Sequence, residues 1–586
     1  MREPVTYVEI DQDFCKLTYG ELPCEAGIGV TGSTQCFNTL VTCQDEDNYD
    51  KGKLTLRFTK DGVTPPPGVY GIPSVESVST APTVINPGGG GKRSGPLGQR
   101  ASLKVVINDH PSSDNLVDPY VDERGYNPLN RGTYWSKWIA RNPYYNNRII
   151  RVLEGYLGED LGNMRSRTYL IDRIDGPDNR GRVTITAKDI LRLADDDKAL
   201  APKPSPGELV SDIDKDDNVG SIKVTGAGTS DYPSSGTLRI NRECFKYTGR
   251  SMSGSDLQFT GVTRETDGTE AKSHKAGDRV QECLRYEDIR ADDLAYEWLT
   301  DFAKVPTEFI DKQAWKDEAD LWLDQFEMSG LITEPTGVNA LLGEITEQCL
   351  FHIWWDEREQ LIKFSAVAPK IYEDIEAIDD VRNILADSVK IKDDPASRIS
   401  QVWLFWDQRD PTESLTKDDN YTKVRIRVDA DAEQSQQYDE TKVRKIYSRW
   451  LQTEGQVINL STRMLNKLRD TPKTMTIELD AKDRKYWTGD VIDVTHMGLV
   501  DYTGMPVQAR WQILSAEEIE AGHKIRYELD LFEFEIGALP GRWMEEDAPD
   551  FDNASESEKA EGAWWSDEDG MIDEGDGTLV EGYTWI

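Results

Sequence analysis

Four of the seven cysteines in this chain lie within its first 43 residues, and their spacing is C-x8-C-x11-C-x6-C. This pattern places four soft sulfur ligands on one short, turn-rich segment. Thiolates of this kind select zinc or an iron–sulfur cluster. Cys15, Cys24, Cys36 and Cys43 are therefore the candidate metal and cofactor ligands, and no residue is a candidate for catalysis.

Other uses of four thiols stay open at this point. Two disulfides would need an oxidising compartment, and the first residues, Met1-Arg-Glu-Pro-Val-Thr, lack the apolar run of a secretory signal. Structural zinc usually takes two ligands from a C-x2-C or C-x4-C knuckle, and this segment has neither. Long, unequal gaps suit a larger metal core, so the spacing favours an iron–sulfur cluster over zinc, disulfides or unliganded thiols.

The residues around the last two cysteines add a resemblance. The run Cys36-Phe-Asn-Thr-Leu-Val-Thr-Cys43-Gln-Asp resembles the cysteine segment of tail-tip hub proteins of long-tailed bacteriophages, including the minor tail protein L of phage lambda and gene-transfer-agent hub proteins. The outer gaps of eight and six residues match theirs. The resemblance implies that Cys15, Cys24, Cys36 and Cys43 hold an iron–sulfur cluster, 4Fe-4S, with zinc as the alternative. In the lambda protein this segment follows the rest of the chain, whereas here it leads.

Composition restricts the function further. The chain has 586 residues, which predicts about three to five domains. Its formal net charge of −39 argues against specific nucleic-acid binding, because phosphates need a basic face. No run approaches the roughly 18 apolar residues of a transmembrane segment, so none is expected. The sequence has no H-E-x-x-H or G-x-S-x-G motif, which predicts that the protein is not an enzyme.

The elements that must position the cysteines predict a multidomain, mainly β fold. Short β-branched runs separated by Gly, Asp and Asn predict strands of two hub-type β-barrels, and apolar spacing of three and four residues predicts helices between them. The predicted parts are 1–60, the iron–sulfur cysteine segment and first strand; 61–96, a Pro/Gly-rich loop; 97–195, the first β-barrel; 196–285, an inserted small β-module; 286–385, a helical, α+β middle segment; 386–540, the second β-barrel; and 541–586, an acidic tail containing aromatic residues.

The inserted module contains two further features with residue types capable of chemistry. His274 could be a metal ligand or a base, but no second histidine lies near it in the sequence, so we expect a structural role. Cys244 and Cys283 are expected to lie close together and to stay reduced.

Further resemblances complete the expectation of function. The stretch from Tyr169 to Leu191 resembles the first barrel of baseplate-hub proteins, and Trp354-Trp-Asp-Glu-Arg358 resembles their middle part. The family implies a ring-forming structural hub of the tail tip, a homotrimer that links the tail tube to the receptor-binding apparatus and takes part in genome delivery. Its expected partners are a distal tail protein, a central fibre or spike and a tape measure protein, in a virion assembled in the host cytoplasm. The alternatives are an iron–sulfur redox enzyme and a tail-associated cell-wall hydrolase.

Overall fold

The computed structural model describes residues 3–26, 36–86 and 97–532, apart from 116, 119, 325, 369–374, 431, 432, 435–437, 439, 470, 484, 521 and 522, and the backbone of four short strands beyond residue 541. The chain divides into two compact units, Met1–Phe532 and Glu533–Ile586. Most of the predicted acidic tail, including the aromatic residues Trp564, Trp565, Tyr583 and Trp585, lies outside the described residues.

Seven strands near the N-terminus form a closed barrel in the order β1-β2-β3-β4-β7-β6-β5, and β5 pairs back to β1. Helix α1, Tyr134–Arg141, lies between β4 and β5 in the chain, and its Trp135 packs into the barrel core against Phe58. The strands are β1 Pro4–Cys15, β2 Lys51–Lys60, β3 Ile72–Ala81, β4 Ser102–Asn108, β5 Ile149–Tyr156, β6 Arg165–Asp175 and β7 Arg182–Lys188.

A buried carboxylate sits on the strand that closes the barrel. Glu9 of β1 lies opposite Arg57 of β2 and Arg151 of β5. Its Oε1 accepts a hydrogen bond from Arg57 Nε at 2.8 Å, and its Oε2 accepts one from Arg151 Nε at 3.2 Å. Because side chains alternate between the two faces of a strand, a shift of one residue would break both ion pairs.

The barrel uses two strands that the sequence analysis did not predict. Strand β1 begins at Pro4, inside the predicted cysteine segment, and β3 crosses the predicted Pro/Gly-rich loop. The sequence Ile-Pro-Ser-Val-Glu-Ser-Val-Ser-Thr-Ala of β3 has a loop-like composition, and a register shift between Val75 and Ser77 interrupts its alternation. Strands β2 and β3 are also parallel, because residues 61–71 return the chain to the same end of the barrel.

The inserted module consists of two four-stranded sheets, ordered β13-β14-β10-β9 and β12-β11-β15-β16. Leu238, Phe245 and Phe259 are fully buried in the core that the strands enclose. The bounds are β8 Leu200–Ala201, β9 Glu208–Leu209, β10 Ser221–Thr225, β11 Gly236–Ile240, β12 Glu243–Tyr247, β13 Gly249–Ser253, β14 Asp256–Thr260 and β15 Val280–Arg290, with β16 Glu327–Ile332 following two helices.

The middle segment contains the predicted helices and hairpin. Helix α2, Ala291–Glu297, continues into a π-helical turn. Helix α3, Lys312–Trp322, directly follows Asp311, whose side chain caps its N-terminus. Strand β17, Thr336–Gly337, leads into α4, Val338–Cys349. Strands β18, Phe351–Asp356, and β19, Leu361–Ala366, form the hairpin, so the predicted α+β character is present.

The second predicted barrel is a six-stranded sheet in the order β20-β26-β27-β28-β25-β21. Ile378 pairs with Val494 of β26, and Ile384 forms a bridge with Leu479 of β25. Residues 378–384 therefore connect β26, near one edge of the sheet, with β25, near the other edge. The strands are β20 Ala377–Asp379, β21 Lys390–Asp393, β22 Gln401–Gln408, β23 Tyr421–Val428, β24 Val443–Tyr447, β25 Lys473–Asp480, β26 Val491–Val500, β27 Pro506–Glu520 and β28 Lys524–Leu531, with helix α5 at Glu454–Leu468.

Two strands from the region predicted as this barrel, β22 and β23, form a separate sheet with β24, in the order β23-β22-β24, and β24 had not been predicted as a strand. Helix α5 packs against β22 and β23. Alternation along residues 400–406 and 423–428 predicts the strands β22 and β23, but it does not say which sheet a strand joins. The second unit contains two strand pairs, β29 Arg542–Trp543 with β30 Gly562–Ala563, and β31 Met571–Asp573 with β32 Leu579–Glu581.

We expect Gly489 to be essential where the six-stranded sheet meets the hairpin. Its φ is +98°, and a Cβ built there would lie 2.2 Å from Cζ2 of Trp354. Gly489→Ala should therefore lower the free energy of unfolding by about 3 kcal/mol, the sum of backbone strain and overpacking. The matched control is Gly504→Ala, with φ +85° and no atom within 4 Å, which should cost only about 1 kcal/mol. If urea unfolding shows that both variants lose the same free energy of unfolding, the close contact with Trp354 contributes nothing.

Candidate metal or cofactor centre

The structure brings the four predicted cysteines to one place. Cys15 is the last residue of β1, and the other three lie in the connection from β1 to β2. All four line a single cavity together with Leu17, Tyr19, Thr39, Asp45, Asn48 and Tyr49. The pairing of Cys15 with Lys51 fixes both ends of this connection on neighbouring strands.

Asn38 ties the first and third cysteines together. Its carbonyl accepts a hydrogen bond from the Cys15 N–H at 2.8 Å, and its Nδ2 donates to the Cys15 carbonyl at 3.2 Å and the Leu17 carbonyl at 3.4 Å. Its own N–H donates to Cys36 Sγ at 3.4 Å. The φ of Asn38 is 57°, a left-handed conformation that asparagine tolerates better than most residues. We had not singled out this residue from the sequence.

The thiols lie within electrostatic reach of one another. Burial raises the pKa of the Cys36 thiol to about 11; the Asn38 N–H opposes this shift, and repulsion from the sulfurs of Cys43, Cys24 and Cys15 adds to it. Burial also raises the pKa of Cys43, although the Asp45 N–H opposes the shift. N–H donors aimed at sulfur stabilise thiolates and are common around metal-bound cysteines. Among the described residues, no three His, Cys, Asp or Glu side chains converge as ligands of a single metal ion.

The connection between β4 and β5 supports this segment from the other side. The Tyr120 hydroxyl donates to the Tyr19 carbonyl at 3.1 Å, and the Arg141 guanidinium lies 3.6 Å from the centre of the Phe37 ring. Asp114 holds Arg141 through two hydrogen bonds of 3.0 Å. Burial alone would raise the pKa of Asp114, but the cations of Arg141 and Lys137 lower it, so this carboxylate stays charged.

A second buried polar cluster lies in the inserted module around Glu243. The Glu243 carboxylate accepts two hydrogen bonds of 2.8 Å from Arg264 and one of 2.8 Å from the Lys272 N–H. His274 Nε2 lies 3.0 Å from the same carboxylate. Burial would raise the pKa of Glu243, but Arg264, His274 and the Lys272 N–H together lower it to about 2. The expected structural role of His274 agrees with this arrangement.

The other cysteine pair also lies where we expected it. Cys244 and Cys283 are both buried with free thiols, and together with Leu331 they form one small apolar cluster. A contact with the Cys244 thiol adds to burial in raising the pKa of Cys283. Cysteines buried in apolar surroundings are inert, so this pair contributes packing.

Comparisons with known proteins add partial likenesses. No family model and no curated protein matches the chain. It is similar to a tail protein from Neisseria meningitidis MC58 at 11% identity and a TM-score of 0.36, over 77% of this chain and 96% of that one. It is similar to the 43 kDa tail protein of prophage MuSo2 from Shewanella oneidensis at 10% identity and a TM-score of 0.35, over 78% and 94% of the two chains.

A chain of the virion of a native gene transfer agent is also similar, at 10% identity and a TM-score of 0.30, over 58% of this chain and 92% of that one. Because all these TM-scores are low, the function must be argued from the site itself. No helix in the part of the chain that the structure describes is long and apolar enough to span a membrane.

We expect Asn38 to control the order of the cysteine segment. Asn38→Ala removes the side-chain donor and places alanine in a left-handed conformation that costs about 1–2 kcal/mol. The segment between Cys15 and Lys51 should then be cleaved about tenfold faster in limited proteolysis, because local opening becomes more frequent. The control Asn38→Gly keeps the backbone conformation and loses only the amide, so it should have a smaller effect. Unchanged cleavage in both variants would contradict this role.

The lowered pKa of Glu243 makes the inserted module sensitive to acid. Because the folded-state pKa of about 2 lies below the ordinary value of 4.5, the charged carboxylate stabilises the fold above pH 4.5, and this contribution is lost as the pH falls toward 2. Glu243→Gln should lower the free energy of unfolding by about 3 kcal/mol near neutral pH. It should also flatten the loss of stability below pH 4.5. Parallel pH profiles for the two proteins, measured by urea unfolding, would refute this assignment.

Proposed function

We propose that this protein is a structural hub of a bacteriophage tail tip whose N-terminal segment is fixed by an iron–sulfur cluster. The observation that carries the proposal is the meeting of Cys15, Cys24, Cys36 and Cys43 around one cavity. A cluster of the kind that the resemblance implies requires these four cysteines to lie together. Their spacing in the sequence does not by itself guarantee that they do. A closed barrel that begins with the strand bearing Cys15 supports the same proposal.

The residues present fit a cluster. Four thiols face one space, two of them have backbone N–H donors beside them, and Leu17, Tyr19 and Tyr49 supply apolar walls. A bound cluster would supply iron–thiolate links that cross-brace the segment. Cys15, Cys24, Cys36 and Cys43 would hold it, a 4Fe-4S centre being our preference and zinc the alternative.

A structural role follows from the small core of the segment. Among the residues of the segment that the structure describes, the buried cluster contains Tyr19 and Ala26 besides the cysteines, with Tyr120 packed against it. So little apolar burial supplies only a few kcal/mol, whereas metal binding to thiolates contributes folding free energy directly. Such a centre needs no second cofactor and no substrate, and we propose that the protein is not an enzyme.

The assembly is part of the same proposal. The chain would form a homotrimeric ring that joins the tail tube to the receptor-binding apparatus, and it would contact a distal tail protein, a central fibre or spike and a tape measure protein. The net charge of −39 suits a ring through which DNA passes, because negative walls repel the duplex and prevent specific binding. The protein would be located at the tail tip of the virion, after assembly in the host cytoplasm.

Metal and acid-labile sulfide analysis after anaerobic purification tests this proposal. The wild-type protein should contain iron and sulfide in similar amounts, and Cys36→Ser should lose both. The matched control is Cys349→Ser, which changes a buried free thiol in α4 and should keep the cluster. A result of zinc without sulfide would show that the centre holds the alternative ion and not a cluster. The absence of any metal would overturn the proposed centre.

A further inference from the structure

One face of the sheet β23-β22-β24 is covered by helix α5, and the other face is partly exposed. Helix α5 packs against β22, and Val402 and Leu404 on that strand are fully buried. Residues directly opposite one another on paired strands share a face. The pairing register therefore sets three rows across the other face: Val428–Gln401–Val443, Ile426–Trp403–Lys445 and Val424–Phe405–Tyr447.

The partly exposed face buries Phe405 on the central strand and is most exposed along the edge strand β23. Val424, Ile426 and Val428 have exposed fractions of 49%, 50% and 43%. In the part of the chain that the structure describes, β23 pairs with β22 alone, so one side of its backbone faces no other strand. An exposed edge strand with a row of β-branched side chains is a template for another strand.

The alternate residues of β23 carry positive charge. Lys423, Arg425 and Arg427 lie opposite Trp406, Leu404 and Val402, so they belong to the face that α5 covers. Lys423 lies 3.4 Å from Asp407, and Arg425 lies 3.1 Å from Glu454. Both acidic partners are substantially exposed, and exposed ion pairs of this kind are worth at most about 1 kcal/mol.

This pattern selects the kind of strand that can pair with β23. If two copies of β23 paired antiparallel about a two-fold axis, each basic row would lie opposite the other basic row, and like charges opposite one another are destabilising. A strand that alternates acidic and apolar residues would instead place carboxylates opposite Lys423, Arg425 and Arg427. Its apolar residues would continue the row of Val424, Ile426 and Val428.

We propose that β23 is the docking edge for an extended segment of a partner protein that alternates acidic and apolar residues. The segment adds one strand to the sheet β23-β22-β24 through backbone hydrogen bonds, while its two rows of side chains give specificity. This inference does not depend on the cysteine centre or on the proposed tail role, because it concerns another sheet and other residues.

A binding experiment on the full chain tests the proposal with two short fluorescent peptides, one alternating glutamate with valine and one alternating lysine with valine. Fluorescence anisotropy should show binding of the Glu/Val peptide, and hydrogen exchange should slow at the amides of residues 421–428. Ile426→Glu should weaken binding about tenfold or more. The matched control is Val443→Glu on the opposite edge strand, where Val443 is 43% exposed against 50% for Ile426; it should leave the affinity unchanged.

Charge reversal gives a second readout that does not depend on the apolar row. Arg427→Glu should weaken binding of the Glu/Val peptide about tenfold and shift the preference of the protein toward the Lys/Val peptide. Equal affinity of the wild-type protein for both peptides would overturn the proposal, as would Ile426→Glu binding like the wild type. If neither peptide binds and Ile426→Glu instead dissociates an oligomer in sedimentation, the edge joins copies of this chain and the proposed partner is wrong.

Discussion

One buried carboxylate fixes the register of the strand on which the N-terminal barrel closes. Glu9 faces Arg57 on one neighbour of β1 and Arg151 on the other, and it is only 7% exposed. If β1 shifted by one residue, this carboxylate would face the apolar core, where an unpaired charge costs several kcal/mol. The same register places Cys15 opposite Lys51, so the charge pairs also set the position from which the cysteine segment starts.

The described part of the cysteine segment buries few apolar side chains and is supported at both sides. Strands β1 and β2 hold its ends, while the connection from β4 to β5 contacts it through Tyr120 and Arg141. Within the segment, Asn38 joins the parts that carry Cys15 and Cys36. The four cysteines therefore line one cavity because several weak local interactions act together, which makes the centre sensitive to changes in residues that bind no metal.

Much of this arrangement could be read from the sequence. The mainly β class, the helices, the hairpin at Phe351–Ala366 and the meeting of the four cysteines follow from periodicity, spacing and resemblance. Strand β3 could not be found in this way, because its Ser and Pro content is loop-like and a register shift interrupts its period. Asn38 was missed for another reason. Its role depends on a left-handed backbone conformation, which asparagine can adopt but which its presence in a sequence does not predict. The separate sheet of β22, β23 and β24 depends on strand order, which alternation does not encode.

The place of β1 in the chain has a consequence for the order in which the protein is made. Strands β1 and β2 and the cysteine segment between them precede all the other strands of the barrel, so this hairpin is synthesised before those strands. Closing the barrel must wait for β5, which ends at Tyr156, and for β6 and β7. Local contacts generally form before distant ones, because they cost less chain entropy. The four cysteines can therefore come together while one edge of β1 is still open, and the contacts of Tyr120 and Arg141 are added before β5 closes the barrel.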